Sequence, residues 1–175
     1  MSLEIERKFL VRSLPEAMDR YPHERILQGY VVVGADGSEV RLRRKGQKHF
    51  ETVKLGRGEV RSELEIELTA TQFDVLWEAT SGRRIEKTRY EIPHAGRTIE
   101  VDVYHGELAG LVTAECEFAS PEESRRFAAP EWFGREVTDD PAYQNQSLAL
   151  HGRPRRPLET REPGGGTGVP PTGLG

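Results

Sequence analysis

The stretch Arg61-Ser-Glu-Leu-Glu-Ile-Glu-Leu68 (RSELEIEL) sets Glu63, Glu65 and Glu67 against Leu64, Ile66 and Leu68 without a break. Period two is the pattern of a β-strand, because successive side chains leave a pleated chain on opposite sides. One face of this strand is therefore carboxylate and the other aliphatic. Taken alone, that fits an ordinary sheet with its apolar face inside and its charges in water.

Working outward, the same alternation marks strands at 3–11, 26–33, 38–45, 48–55, 59–68, 83–92, 97–105 and 111–119. Turn residues at Gly34-Ala-Asp-Gly37, Lys45-Gly-Gln47, Gly56-Arg-Gly58 and His94-Ala-Gly96 separate several of them and imply antiparallel hairpins. On their polar faces these strands carry Glu4, Glu6 and Lys8; Arg41 and Arg43; Thr52 and Lys54; Lys87 and Arg89; Glu100 and Asp102; and Glu115 and Glu117. The signs are segregated by strand, whereas cross-strand pairing would mix them, since like charges placed opposite each other destabilise a sheet.

Helices are expected from Thr69 or Thr71 through Thr80, from the capping-box pattern Ser120-Pro-Glu-Glu123, and from Asp140-Pro141 to His151-Gly152. Their apolar stripes, including Phe73, Leu76 and Trp77, need a sheet face to cover. If they cover the aliphatic strand faces from outside, the charged faces turn inward. The expectation is a mainly β (α+β) chain: a closed eight-stranded antiparallel barrel, or tunnel, with a few helices packed outside. Ile5 and Phe9 then belong to the covered outer face, and Arg7 is left as an ordinary surface charge.

The 175 residues suit one domain, expected at 1–152, followed by a disordered Pro/Gly/Arg-rich tail over 153–175. With 25 basic and 29 acidic residues the balance gives no case for a nucleic-acid surface. Cys116, the single cysteine, excludes an internal disulfide and reads as a small buried hydrophobe. There is no apolar run of membrane-spanning length and no signal-peptide pattern, so a cytoplasmic protein is expected.

A charged interior is costly unless something bound there compensates it. Clustered carboxylates suit a hard divalent cation, Mg²⁺ or Mn²⁺, and clustered Arg and Lys suit phosphate oxygens. A site offering both suits a linear chain of phosphates with its metal.

Glu4-x-Glu6-x-Lys8 resembles the signature of the CYTH superfamily, the triphosphate tunnel metalloenzymes. VRLRRKG (40–46), TVKLG (52–56), RSELEIEL (61–68), EKTRYEI (86–92), IEVDVYHGELAGL (99–111) and AECEF (114–118) resemble further family motifs, in family order. REVTDDPAYQNQSLA (135–149) resembles the closing segment of the short bacterial members, without the basic residue usually found near Ala142. The resemblance implies an eight-stranded tunnel that binds triphosphate compounds with a divalent metal. It implies Glu4, Glu6, Asp102, Glu115 and Glu117 as metal ligands, and Lys8, Arg41, Arg43, Lys54, Lys87 and Arg89 as phosphate-binding bases. Glu63 and Glu65 are further ligands or orient the attacking water, and so count with Lys8 as catalytic candidates. Tyr30 joins them: it shares a strand face with Gln28 and reaches Lys8 if the first two strands are neighbours.

The implied activity is metal-dependent hydrolysis of a triphosphate, with inorganic triphosphate preferred because no segment stands out as an aromatic pocket for thiamine or adenine. The alternatives are a thiamine or nucleoside triphosphatase, an adenylate cyclase of the same fold, and a module that binds polyphosphate without cleaving it. The expected partner is a small-molecule triphosphate, not a nucleic acid or a membrane, and a homodimer is the one assembly considered.

Overall fold

A computed structural model describes residues 5–55 and 62–154. Glu4, the turn expected at Gly56-Arg-Gly58 and the expected tail from residue 155 lie outside the described residues. One antiparallel sheet contains β1 (Ile5–Val11), β2 (His23–Val33), β3 (Glu39–Lys45), β4 (Lys48–Leu55), β5 (Ser62–Leu68), β6 (Arg84–His94), β7 (Arg97–Tyr104), β8 (Val112–Phe118) and β9 (Phe133–Glu136). The hydrogen-bonded order is β5-β4-β3-β2-β6-β7-β8-β1-β9. Hairpins supply most of these neighbours; between β3 and β4 the chain reverses at Gly46, whose φ of 57° favours glycine.

Where eight strands are expected the sheet has nine among the described residues, the extra one being the four-residue β9, and the order corrects two further expectations. It begins at β5 and ends at β9, so among the described residues the sheet is open and not a barrel closed by hydrogen bonds. β1 pairs with β8 and β9 and not with β2, so Tyr30 does not meet Lys8 as a strand neighbour. The physical reason for both is the short β9. It pairs with Phe9 and Val11 of β1, the Val137 N–H donates to the Lys8 carbonyl at 2.8 Å, and the Lys8 N–H donates to Thr138 Oγ1 at 3.0 Å. The edge of β1 that closure would need is thereby already satisfied.

On the outer side of β1 and β6–β8, Phe9, Ile92, Ile99, Val101, Ala114, Cys116 and Phe118 form a buried core with Met18 and Phe133. Helix α2 (Pro121–Arg126), capped by Ser120, packs over this face beside β1 and β8. Cys116 is buried here, and burial pushes its thiol up to about 11. Arg7 is more than a surface charge: its guanidinium donates to both Glu136 carboxylate oxygens (2.8 and 2.7 Å) and to the Ser124 carbonyl (2.9 Å). Its head also lies 5.1 Å from the Phe9 ring centre.

Helix α1 (Ala70–Trp77) starts at a complete capping box between Thr69 and Gln72 and covers the outer face of β2–β4. Gly29 permits this approach, because a Cβ there would stand 2.6 Å from Thr80 Oγ1 and 2.9 Å from the Trp77 ring. The helix stops short of β5, whose outward Leu64 and Ile66 stay 65% and 48% exposed.

Helix α3 (Asn145–His151) corrects the expectation that the helices all pack outside. Its Leu148 and Ala149 join Val137 and Tyr143 against Tyr30, Ile85 and Tyr104. Those three side chains share strand parity with Gln28, Lys87 and Asp102, which places α3 on the charged, concave side of the sheet. No helix among the described residues is long and apolar enough to cross a membrane.

Candidate phosphate and metal site

The concave side holds a cavity of about 560 Å³. Its lining brings together Glu6 and Lys8 from β1, Tyr30 from β2, Arg41 and Arg43 from β3, and Lys54 from β4. Glu63 and Glu65 come from β5, Lys87 and Arg89 from β6, and Glu115 and Glu117 from β8. These residues are far apart in sequence and meet because each occupies the same parity on a strand of one curled sheet. The sheet need not close for this, since β5 and β1, near opposite ends of the strand order, line the same space.

Along β3 the basic wall runs Arg41, Arg43, Lys45, alternate residues about 7 Å apart on one face. Arg43 donates to Glu65 at 3.0 Å, Thr52 donates to the same oxygen at 2.9 Å, and Arg41 reaches Thr52 at 3.4 Å. Lys54 pairs with Glu63 at 3.3 Å. The Nε–H groups of Arg41 and Arg43 are buried without a partner. An unmet buried donor on a charged group is expensive, so both await an acceptor. Burial and then the neighbouring Arg41 lower the pKa of Arg43, which an anion between the two would reverse.

The floor is an ion network. Asp102 is fully buried: Arg89 holds both its oxygens at 2.7 Å, and Lys87 donates to one of them. Against the opposing effect of burial, these cations keep Asp102 well below the usual carboxylate range. Asp102 therefore lies beneath the cavity and is not part of its lining, with its lone pairs committed to two bases. Arg89 also bonds Glu100 and reaches Glu115 at 3.2 Å, while Lys8 pairs with Glu115 at 2.7 Å. Burial is the larger influence on Lys87, and it lowers that amine's pKa in spite of Asp102.

Tyr30 is buried, and its phenol oxygen accepts a hydrogen bond from Gln28 Nε2 at 2.7 Å. Burial and then Glu39 raise its pKa, so the phenol stays protonated and available as a donor to the cavity.

At the acidic end, Glu6 stands directly opposite Glu117 in the β1–β8 register. Neither carboxylate makes an ion pair or hydrogen bond among the described residues. Partial desolvation on the concave face and then the nearby Glu115 push Glu6 up to about 7, although its side chain keeps some access to the cavity. Among the described residues no three metal-ligating side chains form a ready cluster. The donor set still fits a hard cation: two opposed, unpaired carboxylates beside a third that Lys8 and Arg89 hold ionised.

The cavity also contains Glu100, which the strand pattern puts on this face, and residues that pattern left aside: Gln28, Glu39, Lys45, Thr138, Tyr143 and the amides Gln144, Asn145 and Gln146. Lys45 could be found from sequence, since it shares parity with Arg43. The amides could not, because their place depends on α3 entering the concave side.

No protein-family profile matches the chain. It is 45% identical over 150 residues to an inorganic triphosphatase of Nitrosomonas europaea, a match that covers 84% of this chain and 97% of the relative. It is 40% identical over 154 residues to an inorganic triphosphatase of Acetivibrio thermocellus, covering 85% of this chain and 94% of that one. A crystal structure of an inorganic triphosphatase superposes with a TM-score of 0.70 at 43% identity, over 86% of this chain and 96% of that chain.

Proposed function

The chain belongs to the inorganic triphosphatase family of the CYTH superfamily, and from that premise we propose that it hydrolyses inorganic triphosphate to pyrophosphate and phosphate with Mg²⁺ or Mn²⁺. The observation that carries the reading is the pair of buried, partnerless Nε–H donors on Arg41 and Arg43, which line one cavity with Lys8, Lys54, Lys87 and Arg89. A linear chain of phosphates supplies the many acceptor oxygens these groups need.

In phosphoryl transfer the protein mainly positions the groups and neutralises charge. Arg41, Arg43 and Lys54 grip the phosphates from one wall, and Lys8, Lys87 and Arg89 from the other. Water attacks a terminal phosphorus, the bond to the bridging oxygen breaks, and the bases stabilise the charge gathering on the departing pyrophosphate. Glu63 and Glu65 orient the water and take its proton; in support, each is tied to a base or hydroxyl that fixes its position. Tyr30, kept protonated, donates to the substrate or steadies Arg41 beside it. A divalent cation would be held by Glu6 and Glu117, with Glu4 as the further ligand that the resemblance implies, and would supply positive charge against the phosphate oxygens.

Inorganic triphosphate is favoured over thiamine or nucleoside triphosphates because the lining is charged groups and amides. Tyr30 and Tyr143 are its aromatic side chains, and Tyr30 is wholly buried. Phosphate release from inorganic triphosphate, thiamine triphosphate and ATP, each with Mg²⁺ and with Mn²⁺, tests this. The expected result is fastest release from inorganic triphosphate and none without metal. Preference for an organic triphosphate overturns the specificity, cyclic AMP formed from ATP makes the chain a cyclase, and tight binding without release makes it a binding module.

A further inference from the structure

Three neutral amides from the start of α3 face a cavity whose other polar walls are mostly charged: Gln144, Asn145 and Gln146. One of them is held in place. Asn145 Oδ1 accepts a hydrogen bond from the Tyr104 hydroxyl at 2.7 Å. Tyr104 is itself 1% exposed, in the apolar cluster that seats α3, and its ring centre lies 5.5 Å from Lys87 Nζ. With the carbonyl oxygen of Asn145 committed to Tyr104, the group left to meet a ligand is its Nδ2 amide, which only donates.

We propose that Asn145 is a substrate-contacting residue, its Nδ2–H donating to a phosphate oxygen of the bound triphosphate, and that Tyr104 is the positioning residue that fixes the amide's orientation. This rests on the triphosphate reading above. A neutral donor suits this end of the cavity: it binds an anion without adding a positive charge to the crowd formed by Lys8, Lys87 and Arg89. It also gives the closing segment a grip on the substrate where the base usual near Ala142 is missing.

Asn145→Asp and Asn145→Ala together separate this role from a structural one: the nearly isosteric carboxylate keeps the acceptor for Tyr104 and puts a negative charge where the donor was, and alanine removes the donor without adding charge. The measurements are KM and kcat for inorganic triphosphate with Mg²⁺, and the melting temperature, for wild type, Asn145→Asp, Asn145→Ala and Tyr104→Phe. Loss of a hydrogen bond to a charged oxygen raises KM roughly tenfold or more in Asn145→Ala. Asn145→Asp raises it further through repulsion, and Tyr104→Phe raises it less. A merely structural Asn145 lowers the melting temperature in Asn145→Ala and leaves the KM of that variant unmoved, which also overturns the inference. A KM for Asn145→Asp within about threefold of wild type, less than one such hydrogen bond contributes, overturns the inference. A wild type that releases no phosphate overturns the triphosphate reading itself, and with it this contact.

Discussion

Glu6 on β1 and Glu117 on β8 are directly opposed partners in an antiparallel register, and both face the cavity. Opposed like charges cost a sheet about 0.2–1 kcal/mol, and neither side chain has a cationic partner among the described residues. The fold tolerates this at a place where a divalent cation would turn repulsion into coordination. If a metal binds there, the metal-free protein gives up stability for the site.

The first prediction follows directly. Glu6→Gln relieves the repulsion, so the metal-free variant should melt at or above the wild-type temperature. Adding Mg²⁺ should raise the melting temperature of wild type but not of the variant, since a ligand that binds only the folded state stabilises it. Turnover of triphosphate should be lost. A variant that keeps both its Mg²⁺-dependent rise and its activity would remove Glu6 from the metal site.

Arg43 carries a different kind of test. A lysine in its place keeps the charge but loses the planar fork and the buried Nε–H that waits for an acceptor. Arg43→Lys should raise KM for triphosphate about tenfold, with little change in melting temperature, because the pair with Glu65 is partly solvated. Steady-state kinetics beside a thermal melt would show an unchanged KM if phosphate bound elsewhere.

Asp102 is predicted to matter to the fold as much as to the site. Asp102→Asn leaves Lys87 buried without its counter-charge and takes from Arg89 one of the two acceptors its fork uses. Breaking one side of a buried ion network costs about 3–5 kcal/mol. Urea unfolding should show a loss of that size, and a loss under about 1 kcal/mol, the scale of an exposed pair, would mean the network is solvated.

Asp102 also shows how far the sequence could be read. Strand parity puts it on the same face as Lys87, Arg89 and Glu115, and that is its face in the structure. Parity says nothing of depth, and depth makes Asp102 a counter-ion in the floor, out of the cavity's lining. Closure was illegible for a related reason. Phe133-Gly-Arg-Glu136 is too short to show alternation and includes a glycine, yet it occupies the edge of β1 that a barrel would need. The hairpins, by contrast, were readable because their turns are local, and the charged lining was readable because it follows strand by strand from period two. The side taken by α3 was not, since its contacts with Ile85 and Tyr104 depend on apolar residues that interrupt the charged face.

The last prediction concerns the strand that sequence alone did not reveal. Arg7 holds Glu136 through a two-pronged contact that ties β1 to β9, and this hydrogen bonding keeps the Glu136 carboxyl below its ordinary range. A carboxylate with a depressed folded-state pKa adds stability that is complete above its unfolded value and disappears as pH falls through the folded one. Glu136 is 40% exposed, so solvent screening limits the pair to about 1 kcal/mol, which is about 2–4 °C in melting temperature for a chain of this size. Glu136→Gln should therefore melt below wild type by that margin at neutral pH, and the two should converge as pH drops below the carboxylate range. Melts recorded from pH 7 down to about pH 3, across the usual carboxylate range, decide it. A gap that persists at the acid end would mean that Glu136 supports β9 by packing or through the hydrogen bond it accepts from the Thr138 hydroxyl at 2.8 Å, with the charge of Arg7 playing no part.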